Sequence, residues 1–113
     1  MAVLVIDDSK AMRSLIKRIL NNAGFEVLEA GDGQEALECL QRWNHIDLVL
    51  VDWDMPGMDG YEFVRTVRAT PAYRHLRLMM VTAESELEHI AAALAAGADE
   101  YVMKPFTRDA VLG

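Results

Sequence analysis

Four kinds of polar side chain stand where apolar runs stop, and together they describe one kind of chemistry. Asp7 and Asp8 follow the run AVLVI, Asp52 follows LVLV, Thr82 follows LMMV, and Lys104 follows YVM. Three carboxylates brought together repel one another unless a cation compensates. An all-oxygen donor set suits magnesium, which binds through one or two carboxylates and keeps waters and places for a phosphate. Lys104 adds a fixed positive charge and Thr82 a hydroxyl donor. Ala83 has a side chain small enough to let its backbone N–H approach an anion. These are the parts for phosphoryl transfer, in which positioning and neutralisation of charge on the phosphoryl oxygens dominate. A carboxylate can itself be the nucleophile. Asp52 is the best candidate, standing alone at the centre of the predicted sheet, while the Asp7–Asp8 pair is better placed to hold metal. If the acids merely capped a helix and a turn, Lys104 and Thr82 would be left unexplained.

The elements that must position these residues alternate along the chain. Residues 2–6 are apolar throughout, as a buried strand requires. Ser9 stands at the N-cap of a helix predicted over 10–23, with Met12, Leu15, Ile16, Ile19 and Leu20 on one face. Gly24 falls just past its end, where a C-cap belongs. A strand over 25–30, a turn at 31–33 and a helix over 34–43 follow, the helix facing inward with Ala36, Leu37 and Leu40. A strand over 48–51 leads through a loop with Pro56, Gly57 and Gly60 to a helix over 61–69, with Phe63, Val64 and Val67 inward. After a strand over 78–81, a helix over 85–96 places Leu87, Ile90, Ala91 and Leu94 at i, i+3, i+4 and i+7, and Gly97 ends it. The fifth strand is 101–103. Thr107 caps a last helix over 108–113, under two turns and short for a helix covering a sheet, as if the chain stopped mid-helix. Five strands alternating with helices predict an α/β fold: a parallel sheet, right-handed crossovers and helices on both faces. Ligands bind such a sheet at its carboxyl edge, where the strand order switches direction. That edge is where the acids, Thr82 and Lys104 fall.

Length and charge narrow the function classes. The 113 residues make one domain, and 52% hydrophobic with 26% charged residues suits a globular core. No apolar run approaches the roughly 20 residues that cross a bilayer, and no secretory leader is visible, which predicts a cytoplasmic chain without membrane contact. Eleven basic against 18 acidic residues give a net charge of −7, which argues against nucleic acid as the main ligand. The single cysteine, Cys39, cannot form an internal disulfide and reads as an inert thiol on a helix. His45, His75 and His89 lack ligand spacing, so a zinc site is not expected.

The stretches VLVIDDS (3–9), LVLVDWDMPGMDG (48–60), VTA (81–83) and KPF (104–106) resemble the receiver domain of bacterial two-component response regulators. The likeness runs over nearly the whole chain, in order and at the right spacing, and is nearest in style to the single-domain chemotaxis regulators. It implies a flavodoxin-like sheet of order 2-1-3-4-5 and a single receiver domain over 1–113. It also implies a signalling switch rather than an enzyme, with only self-catalysed phosphoryl transfer and slow autodephosphorylation. On this resemblance Asp52 is the phosphoacceptor, taking a phosphoryl group from a histidine kinase. Asp8 would be the direct magnesium ligand, Asp7 would hold the ion through water, and Asp52 and the backbone carbonyl of Asp54 would complete the protein ligands. Lys104 would pair with the phosphoryl oxygens. Thr82 would swing to hydrogen-bond them, and Tyr101, three residues before the lysine, would move inward as it does. The face made by helix four, strand five and the last helix would then change shape and control a downstream target.

Other features bear on partners. Lys10, Arg13 and Lys17 form a basic stripe on the first helix, suited to an acidic surface on the kinase or a phosphotransfer partner, or simply to solvent. Arg65, Arg68, Arg74 and Arg77 gather near the end of the third helix, where cations suit the helix dipole. Asp54 and Glu84, each two residues beyond a key position, would tune the lifetime of the phosphoryl group. The chain is expected to be a monomer or weak dimer. Two other readings use the same residues. Asp52-Trp53-Asp54 resembles the DxD motif of haloacid-dehalogenase-type phosphatases, though there the motif lies on the first strand of a longer chain. A receiver fold that is never phosphorylated would be a pure interaction module, but such domains lose the acids or the lysine kept here. The chain would also serve as the receiver piece of a longer protein with an output domain.

Overall fold

The computed structural model describes residues 2–43, 45–52, 60–82 and 90–103. Five strands, β1 (Ala2–Ile6), β2 (Glu26–Ala30), β3 (Ile46–Asp52), β4 (Arg77–Thr82) and β5 (Glu100–Met103), form one sheet of order β2-β1-β3-β4-β5. Every neighbouring pair is parallel. Between them lie α1 (Lys10–Asn22), α2 (Gly33–Arg42), α3 (Gly60–Ala69) and α4 (Ile90–Ala96). This is the doubly wound, flavodoxin-like order in which the switch point falls between β1 and β3.

Period-two alternation in the strands builds two separate apolar layers. Leu4 and Ile6 of β1, Val49 and Val51 of β3, and Leu78 and Met80 of β4 point to one face. They pack there with Ala36 and Leu40 of α2 and Phe63, Val64 and Val67 of α3. Val3 and Val5, Leu50, and Met79 and Val81 point to the other face, against Ile16 and Leu20 of α1. Each fully buried side chain of this size contributes about 1.5–3 kcal/mol of transfer free energy. A strand apolar at every position, as β1 is, is what a sheet covered on both faces demands.

Local chemistry sets the helix ends. Ser9 caps α1, its hydroxyl accepting the N–H of Met12 at 3.2 Å. At the other end Gly24 takes φ +96°. The N–H of Phe25 reaches the carbonyl of Leu20 and that of Gly24 the carbonyl of Asn21, both at 3.0 Å. This is a Schellman closure, with Phe25 and Leu20 packed in the same layer. Asp32 caps α2 through the N–H of Glu35 at 2.8 Å, and Glu35 returns to the N–H of Gly31 at 3.3 Å. The helix therefore starts at Gly33, one residue before the apolar pattern predicts.

Strand ends run past their apolar runs. β3 begins at Ile46 and β4 at Arg77, because parallel pairing continues through the polar residues, as in Leu48 opposite Arg77. Glu100 likewise starts β5, opposite Met79 and ion-paired with Arg77. Three apolar positions picked out by helical spacing are exposed. Leu15 is exposed, since the buried stripe of α1 centres on Ile16 and Leu20 and leaves position 15 on its flank. Ala91 and Leu94 of α4 face outward, three residues apart on the side away from Ala96, which packs on the α2–α3 layer. A 3₁₀ turn at Pro71–Tyr73 was not anticipated. The predicted last helix at 108–113 lies outside the described residues.

The turn after α4 is fastened by one arginine. Arg68 Nε donates to the carbonyl of Gly97 at 2.8 Å and Nη2 to Asp99 Oδ2 at 2.7 Å. Asp99 accepts the N–H of Leu78 at 2.8 Å, and its own N–H donates to the carbonyl of Leu78 at 2.8 Å. The cation suited to the dipole of α3 is thus also a latch between α3, β4 and the start of β5.

Candidate functional site

The carboxyl edge of the sheet gathers the acids. Asp7 follows the last residue of β1 and Asp52 ends the neighbouring strand β3, so both carboxylates leave the sheet at the same rim. Asp7 is 2% exposed and Asp52 4%, the two buried charged residues among those described, whereas Asp8 is exposed. A ligand oxygen from each of Asp7, Asp8 and Asp52 lies within 4.8 Å of the other two. Two unit charges at that separation repel by about 3 kcal/mol at an effective dielectric near 20. A divalent cation at the centre reverses that sign. The donors are all hard oxygens, two set in buried walls and one open to solvent, which fits magnesium with water left in its shell.

The β1–α1 turn is built to hold this shape. The N–H of Asp7 donates to the carbonyl of Ala30 on β2 at 3.1 Å. The N–H of Ser9 donates to Asp7 Oδ1 at 2.8 Å, an Asx turn that leads into the helix cap. Arg13 Nη1 donates to the carbonyl of Asp7 at 2.6 Å, and its Nε to Glu29 Oε1 at 3.3 Å. Lys17 Nζ meets the other oxygen of Glu29 at 3.4 Å. Of the basic stripe on α1, two members are therefore turned toward Glu29 and one of these toward the acids. The stripe is not wholly a free docking surface, and Arg13 is the residue that sequence spacing alone did not connect to the site.

Thr82 ends β4 one residue beyond Val81, which pairs with Asp52, so its backbone stands at the same rim. Tyr101 lies on β5 opposite Met80 and is 45% exposed. Ala83, Asp54 and Lys104, like Glu84, lie outside the described residues.

A doubly wound parallel sheet with an acid trio at its switch-point edge defines a class of phosphoryl-handling domain. Comparison with known proteins gives the particular family. Residues 3–113 match the response regulator receiver domain. The chain is 44% identical over 108 residues to the chemotaxis protein CheY of Pseudomonas aeruginosa, covering 95% of this chain and 86% of that protein. It superposes on the structure of the Vibrio cholerae chemotaxis protein CheY4 with a TM-score of 0.89 at 37% identity, covering 98% of this chain and 92% of the other. With a response regulator receiver domain protein from Clostridium thermocellum the TM-score is 0.87 at 32% identity, over 97% and 86% of the two chains. The chain belongs to the response regulator receiver domain family. Its members are phosphorylation-dependent signalling domains rather than classical enzymes, generally bind magnesium at their acidic cluster, and work between histidine kinases and downstream targets. No helix among the described residues is long and apolar enough to cross a membrane.

Proposed function

We propose that this chain is one receiver domain over residues 1–113 that accepts a phosphoryl group on Asp52 from a histidine kinase or phosphotransfer protein. The observation that carries the reading is the acid trio at the β1–β3 edge, its ligand oxygens within 4.8 Å of one another and Asp52 at the centre of the sheet. Asp8, Asp52 and the backbone carbonyl of Asp54 would hold magnesium, with Asp7 acting through water. When bound, the ion supplies charge neutralisation for the transferring phosphoryl group. Asp52 supplies the attacking oxygen, held in place by its strand. Lys104 and the N–H of Ala83 take the phosphoryl oxygens.

Phosphorylation replaces the single carboxylate charge of Asp52 with a phosphoryl group carrying about two, a net gain of about one negative charge, and it projects that charge beyond the strand end. Thr82 is drawn to that charge, and Tyr101, now half exposed, moves into the space the threonine leaves. The α4–β5 face and the last helix then present a new surface to a downstream target. In this reading the kinase docks on the α1 side. The protein works in the cytoplasm as a monomer or weak dimer without direct nucleic-acid or membrane contact, and its style is that of a chemotaxis regulator.

The test is intact-mass spectrometry after incubation with magnesium and acetyl phosphate. One added phosphoryl group is expected, absent in Asp52→Asn and absent when EDTA replaces magnesium. A persistent failure to form the adduct, with rapid phosphate release also excluded, would leave a phosphate-independent interaction module.

A further inference from the structure

We infer that Arg13 is a positioning residue for the acid trio, and that Glu29 holds it there. The inference rests on the reading of Asp7, Asp8 and Asp52 as a magnesium cradle. The carbonyl of Asp7 belongs to the peptide that joins the two acids, and a peptide unit is planar. Anchoring that oxygen at 2.6 Å therefore fixes the plane between Asp7 and Asp8. The N–H of Asp7 is bound to Ala30 and that of Ser9 to Asp7 Oδ1, so the peptides on either side are held as well, and Arg13 anchors the one between them, from which Asp8 springs. Asp8 is the exposed member of the trio, the one with least packing of its own. Arg13, with 18% of its side chain exposed, is itself oriented by Glu29 on β2. The sequence of control runs from β2 through α1 to the direction in which Asp8 presents its carboxylate.

Two physical effects of Arg13 on a bound cation have opposite signs. Its positive charge repels a divalent ion nearby, so simple electrostatics has its removal tighten magnesium binding. Its hydrogen bond orders a ligand-bearing turn, so positioning has its removal weaken binding, as loss of outer partners of metal ligands commonly does by about 10- to 100-fold. The structure favours the second effect, because the guanidinium is directed at the backbone oxygen and at Glu29.

Magnesium titrations of the full chain, followed by backbone amide NMR shifts, separate the two. Arg13→Met is expected to weaken the Kd about tenfold. Arg13→Lys, which keeps the charge but not the fork, is expected to restore part of it. Glu29→Gln is expected to weaken binding by a smaller factor. Lys17→Met, which removes the other cation on Glu29 without touching Asp7, is expected to leave the Kd within about twofold, as an exposed pair of small energy should. Urea unfolding of each variant reports stability separately. Unchanged or tighter binding in Arg13→Met overturns the inference, and if that variant fails to fold, unchanged binding in Glu29→Gln does so. A wild-type chain that shows no saturable magnesium binding overturns instead the cradle reading, and the inference with it.

Discussion

The thiol of Cys39 is set among the acids of α2. Burial pushes it above the ordinary thiol value of 9.0, Glu35 and Glu38 push the same way, and Arg42 opposes them in part. At neutral pH it is therefore protonated and a poor nucleophile. Alkylation by iodoacetamide at pH 7.5 is expected to be slower in the folded chain than in the urea-unfolded chain, and to rise only at alkaline pH. The sign for stability follows. A folded-state value raised above the unfolded one contributes stability below pH 9, lost as pH rises through the folded value. Equal alkylation rates in the two states would refute this. Residue chemistry of this kind was legible in sequence, as was the acid trio, because residue type and strand-end placement determine it. The role of Arg13 was not. Its spacing with Lys10 and Lys17 is the same whether the side chain meets solvent or reaches across to Asp7. Only the packing of α1 beside β2 decides between those two.

Elements were read more securely in their interiors than at their ends. β1 matches its apolar run residue for residue, since nothing polar competes within it. β3 exceeds its run by including Ile46, Asp47 and Asp52, because ladder hydrogen bonds are indifferent to side-chain polarity where the neighbouring strand continues. Gly24 was legible as a helix stop, and its conformation gives a clean test. A Cβ built there meets nothing within 4 Å, yet φ is +96°. Gly24→Ala thus carries only a backbone penalty, about 1–2 kcal/mol. Urea unfolding measures it, and magnesium affinity should not move. A cost near zero would mean that the Schellman closure relaxes to another form.

At the scale of the whole molecule, the sheet separates two cores that share no residue among those described. Ile16 belongs to the α1 layer and Ile46 to the α2–α3 layer. Ile16→Val and Ile46→Val should each cost about 1 kcal/mol, and the double variant should cost their sum to within about 0.5 kcal/mol. Chemical denaturation of the four chains checks this, and a larger deviation would show strain crossing the sheet. The order β2-β1-β3-β4-β5 is also what makes the site. It sets β1 beside β3, so Asp7 and Asp52 come together although 44 residues separate them in the chain. That neighbourhood came to the sequence reading through family resemblance, since alternation of strands and helices specifies a parallel sheet without specifying which strands adjoin.

The Arg68 latch has a mechanical consequence. β5 is an edge strand of four residues, paired only with β4 among the described strands. A force applied at Met103 would unzip it from there backward, one ladder step at a time. The peeling would then meet Asp99, clasped twice by Leu78 and once by Arg68. Those bonds must break together, so the rip arrests there while the sheet from β2 to β4 is still whole.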